Sequence, residues 1–96
     1  MEADRTTALA TLLHQAELEH AEHEAKDLGG VYDQEWPSWY ATYAVEHGFP
    51  EILGRDVSTE ELATFLAVSY ADFASADPRP EAPWADYTAS RISAEL

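Results

Sequence analysis

Cysteine is missing from this chain altogether. Its absence excludes disulfides, thiolate zinc sites and thiol nucleophiles, and it leaves the redox compartment undetermined. Basic residues are scarce: five Lys and Arg stand against nineteen Asp and Glu, for a net charge of −14. Binding to a phosphate backbone needs Lys and Arg, so this balance argues against direct nucleic-acid binding. No helical face is basic, which removes a membrane-surface helix. No apolar run approaches the ~20 residues that span a bilayer, so no membrane role is expected. No segment alternates apolar and polar residues with a period of two, so strands are not expected. A Gly-x-Ser-x-Gly elbow, a phosphate-cradling glycine loop and a His-Glu-x-x-His motif are all missing. Carboxylates are so numerous that no pair stands out as an acid/base couple. No catalytic residue is assigned, and a non-enzymatic role is the expectation.

What is present fits a folded chain. Its 96 residues leave room for one domain. A chain of this length buries only roughly 60–65% of the surface its unfolded form exposes, enough for one modest core. Hydrophobic residues make up 46% and aromatics 11%, more than a disordered acidic tail carries. The charge has a cost, because a compact chain this acidic repels itself. Protonating the four histidines would offset only four of the fourteen negative charges. A bound cation, a basic protein partner or acidic pH would each raise stability. One lysine among many alanines suits a high-GC bacterial proteome. The start MEADRTTALATLL has no basic segment followed by a pure apolar run, so a cytoplasmic location is expected.

Periodicity and punctuation predict four helices, over 4–28, 36–47, 58–74 and 83–94. In the first, Leu9, Leu12, Leu13 and Ala16 share one face, and His20, His23 and Asp27 continue that stripe. Leu18, Ala21, Ala25 and Leu28 form a second, weaker stripe. Gly29-Gly30 stops the helix. The second helix starts at Trp36-Pro37, with Asp33 as a candidate cap, and ends at Gly48, where Pro50 is expected to forbid a restart. Ser58-Thr59-Glu60-Glu61 reads as a capping box for the third, whose Ala63, Ala67, Ala71 and Ala74 would allow close approach by a neighbour. The proline-rich segment from Asp77 to Pro83 reads as an extended loop. The fold class is all-α, a small four-helix bundle or irregular helical array.

Two clusters carry chemistry. Glu17, His20, His23, Glu24 and Asp27 combine imidazole and carboxylate on neighbouring turns, a donor set that suits a divalent metal: Zn, Mn, Fe or Ni. Di-iron bundles use a Glu-x-x-His step from each of two helices, and Glu17-x-x-His20 is one such step. A homodimer would supply two, with Glu60, Glu61 or Asp72 as remaining ligands. The plainer reading is that a helix this acidic produces the spacing by chance, and that the histidines are partly exposed polar residues or a pH-sensitive contact. Arg55 and Arg91 offer carboxylate binding, or structural ion pairs.

The second cluster is aromatic. Trp36, Trp39, Tyr40 and Tyr43 form a dense face ending in His47, and Trp84 and Tyr87 are candidates to reach the same region. Tyr and Trp join an apolar body to a polar tip, which suits a small-molecule pocket or a partner surface. They equally suit the core of a small protein. Asp33, Trp36, Pro37, Trp39, Tyr40, Ala41 and Tyr43 spell D-x-x-W-P-x-W-Y-A-x-Y, which resembles a pattern of small bacterial all-helical proteins. The resemblance covers about a fifth of the chain. It implies a helix start packed by tryptophans and carries no chemistry.

The sequence thus predicts an acidic helical binding module that self-associates as a homodimer, one stripe of its first helix packing internally and the other against a symmetry mate. The alternative is a metal- or small-ligand-binding bundle built on the two clusters. A further alternative is an acidic mimic of nucleic acid, occupying a basic partner by long-range attraction.

Overall fold

Leu9, Leu12, Leu13 and Ala16 recur at the spacing that places side chains on one side of a helix. All four are buried, on helix α1, Glu2–Lys26. In the computed structural model, which describes residues 2–30, 34–78 and 80–96, four more helices follow. They are α2 (Trp36–Glu46), α3 (Phe49–Leu53), α4 (Thr59–Ser75) and α5 (Trp84–Glu95). No strand occurs among the described residues, so the architecture is all-α. None of these helices is long and apolar enough to cross a membrane. Asp33, the candidate cap of α2, lies outside the described residues.

Helix α1 lies along α5 and also packs on α2 and α3, while α4 packs on α2 and α5. The close approaches are made by Ala41 and Ala44 of α2 and by Ala85 and Ala89 of α5, all fully buried. The alanine row of α4 does less than its spacing implies, because Ala71 and Ala74 face solvent. Two hydroxyl pairs are matched across these contacts. Ser69 and Thr88 share a buried hydroxyl–hydroxyl hydrogen bond of 2.8 Å between α4 and α5. Thr6 and Ser93 form a partly buried hydroxyl–hydroxyl hydrogen bond between α1 and α5, also at 2.8 Å.

Helix α3 overturns the expectation that Pro50 forbids a restart. Pro50 sits in the first turn, where its missing N–H has no intrahelical acceptor to lose. Gly48, at φ +102°, supplies the left-handed residue that redirects the chain. Phe49 and Leu53, one turn apart, then enter the core together, 1% and 4% exposed. Burial of those two side chains explains why five residues hold a helix that propensity alone would not support.

The Ser58 cap of α4 forms as expected, while the Glu61 side chain meets the Ser58 hydroxyl in place of its backbone N–H. The Glu61 backbone N–H donates to Ser58 Oγ at 3.1 Å. The Ser58 hydroxyl in turn donates to Glu61 Oε1 at 3.4 Å. The second stripe of α1 is left uncovered: Leu18 is 72% exposed, and Ala21 and Ala25 also face solvent.

Candidate functional site

Imidazoles on the last turns of α1 point inward, toward the tryptophans of α2. His20 is only 6% exposed. Its ring centroid lies 5.0 Å from that of Trp39 and 5.0 Å from that of Tyr40. His23 stacks on the same indole, 5.5 Å from Trp39 with the planes 25° apart. Each imidazole has a carboxylate one turn on. His23 Nδ1–H donates to Asp27 Oδ2 at 2.9 Å, and His20 Nδ1 stands 3.9 Å from Glu24 Oε1.

These donors do not converge on one point. Among the described residues, no group of three His, Asp or Glu side chains is gathered so as to hold a metal ion. Glu17 meets His14 at 3.3 Å, and His14 in turn meets Asp86 at 3.5 Å. Asp72 is held by Arg91, whose guanidinium donates to it at 2.8 Å and to Glu95 at 2.9 Å. Glu60 and Glu61 are exposed at the start of α4. Arg91 and Arg55 both take structural partners, Arg55 donating to the Leu96 carbonyl at 2.9 Å.

The two sequence clusters meet at a cleft of about 240 Å³. Glu17, His20 and Glu24 of α1 form one wall, and Trp36 and Tyr40 of α2 form the next. Trp84 of α5 and Tyr70 of α4 close the far side. Three of the rings stand almost mutually perpendicular. Trp36 and Tyr40 are 5.3 Å apart at 78°, Tyr40 and Trp84 5.8 Å apart at 79°, and Trp36 and Trp84 5.8 Å apart at 86°. Tyr70 adds a fourth ring, 5.5 Å from Trp36. Edge-to-face pairing of this kind is the preferred geometry of aromatic quadrupoles and holds the corner rigid. The Trp84 indole Nε1–H is enclosed and meets no acceptor among the described residues. A buried unmatched donor costs about 1–3 kcal/mol.

Electrostatics sharpen the picture. Partial burial raises the Glu17 carboxyl above its ordinary value of 4.5, against the opposing pull of His14. The Tyr40 hydroxyl is pushed far above its ordinary value of 10.0, first by burial and then by the charges of Glu17 and Glu24. Both carboxylates therefore act on the same phenol across the cleft.

The remaining sequence candidates lie elsewhere. Trp39 and Tyr43 stack at 5.5 Å and 12°, and Tyr43 and His47 at 3.9 Å and 16°, so that His23, Trp39, Tyr43 and His47 form one column of rings. That column borders a separate shallow groove with Glu35 and Glu46, apart from exposed His47. Tyr87 pairs with Phe73 at 5.3 Å and lies under Arg91. Tyr70 is the cleft residue that sequence reasoning did not single out as a site residue. Its one local signal is helical spacing, four residues after the buried Leu66.

Fold and site together define an all-α protein with an aromatic, carboxylate-lined cleft. Comparison with known protein families, with curated proteins and with solved structures finds no match to this chain.

Proposed function

We propose that this chain is a non-enzymatic cytoplasmic binding module that receives a small ligand in the cleft between α1, α2, α4 and α5. The observation that carries this reading is the corner of three near-perpendicular rings, Trp36, Tyr40 and Trp84, facing two carboxylate-bearing positions of α1. The cleft volume of about 240 Å³ lies below the roughly 300–1,000 Å³ of pockets for drug-sized molecules, so the ligand is one of few heavy atoms. Pockets of mixed aromatic and sparse polar lining are the usual form of such sites. Titrating tryptophan fluorescence with neutral, anionic and cationic small molecules tests the reading. At least one class should give a saturable change. A flat response from every class overturns it.

Self-association is the second reading, favoured by one observation. Leu18 is 72% exposed, with Ala21 and Ala25 exposed on the same stripe of α1. A two-fold pairing of that stripe would cover it. Sedimentation should then report a dimer that Leu18→Glu dissociates. A monomer at high protein concentration removes this reading and leaves the cleft untouched.

A further inference from the structure

We infer that the ligand of this cleft is a compact organic cation, an alkylammonium group held between the Trp36–Tyr40–Trp84 corner and the carboxylates of Glu17 and Glu24. The inference rests on the binding reading above and specifies its chemistry.

Aromatic faces attract cations through the ring quadrupole, and tryptophan does so best. The three rings stand at 78–86° to one another and all line the cleft, so a cation there is offered ring surface of more than one orientation. Each such contact gains about two- to fivefold in affinity at an exposed site, and more where water is excluded. The wall opposite supplies the complementary charge. Glu17 and Glu24 are seven residues apart on α1, hence on the same side and about 10 Å apart along the axis. His20 lies between them with its ring already packed on Trp39 and Tyr40. An alkylated nitrogen fits between two such carboxylates without requiring direct coordination from either. A bare metal ion is a poorer match, because it needs several converging donors and the described residues gather no set of three. An anion is a worse match still, since the chain carries −14 and both flanking groups are acidic. The same net charge raises the local concentration of any small cation and speeds its arrival, an effect that salt weakens.

The probe is choline, compared by calorimetry with its neutral isostere dimethylbutanol, in which carbon replaces the quaternary nitrogen. Choline should bind saturably and the isostere at least about tenfold more weakly. Glu17→Gln with Glu24→Gln keeps the shape of the wall and removes its charge. It should cost choline about tenfold or more in affinity, with the helical circular dichroism unchanged. Tyr70→Ala, on the exposed rim, should weaken choline a few-fold without unfolding the chain. Equal binding of choline and isostere overturns the cation assignment while leaving a ligand-binding cleft. So does binding of a neutral or anionic member of the fluorescence panel when choline fails. Absence of binding across the whole panel overturns both. If the double glutamine variant does not fold, the comparison of choline with its isostere on the unaltered chain decides.

Discussion

Trp36 and Trp84 stand 5.8 Å apart with their planes at 86°, although 48 positions of sequence separate them. Helices α2 and α5 each begin with one of these indoles. Two helix starts, each carrying a tryptophan, thus meet beside the acidic side of α1, and the cleft is the space they leave.

The five residues of α3 should matter to the stability of the whole chain. Phe49 is 1% exposed and anchors α3 in the core. Phe49→Ala should cost about 3–5 kcal/mol in urea denaturation, the usual cost of deleting a buried ring. That is a large part of the roughly 5–15 kcal/mol a domain possesses. A cost below about 1 kcal/mol would mean that α3 contributes little to the core.

Ser69 and Thr88 should behave as a unit. Ser69→Ala leaves the Thr88 hydroxyl buried without its 2.8 Å partner and should cost about 1–3 kcal/mol. Adding Thr88→Val should cost less than the sum of the two single changes, because the orphaned hydroxyl is then gone. Strict additivity in a double-mutant cycle would show that the pair is not coupled.

Stability should fall at alkaline pH in a way that Tyr40 explains. Its hydroxyl titrates above the ordinary value of 10.0 in the folded chain, chiefly through burial. The unfolded chain therefore loses this proton first. The contribution is complete below pH 10.0 and is lost as pH rises toward the higher folded value. Tyr40→Phe should flatten that decline in melting temperature. An identical alkaline slope in the variant contradicts the burial of the phenol.

Glu17 produces the corresponding effect on the acid side. Its carboxyl is raised above 4.5 by desolvation, so its contribution to stability is complete below 4.5 and lost as pH rises through the folded value. Glu17→Gln should therefore be more stable than the unaltered chain at pH 7 and equal to it at acid pH. Lower stability of the variant at pH 7 would mean that the contact with His14 outweighs desolvation. Chelators should leave the melting temperature of the unaltered chain where it is, since no metal-holding group of three occurs among the described residues. A fall with chelator would favour the metal-binding alternative.

Much of this was legible from spacing. The Leu9–Ala16 stripe, the Ser58 cap and the inward turn of His20 and His23 follow from helical periodicity and local polar chemistry. The grouping of the aromatics did not. Residues three apart on a helix differ by about 60° in direction, so Trp36 and Trp39 belong to different rows. Trp36 and Tyr40 face the cleft, while Trp39, Tyr43 and His47 make the ring column. The same offset separates Trp84 from Tyr87. Tyr70 entered the site through the packing of α4 on α2, which no local pattern encodes. Likewise, the first-turn position of Pro50 becomes clear only once Phe49 and Leu53 are seen to be buried.

Indole N–H resonances give the most direct test. The chain has three tryptophans, and two of them, Trp36 and Trp84, line the cleft. In a nitrogen–proton correlation spectrum, titration with choline should move the Trp36 and Trp84 indole signals saturably and leave that of Trp39 nearly still. Movement of Trp39 alone, or of none of the three at saturating choline, contradicts a cation seated in the Trp36–Tyr40–Trp84 corner.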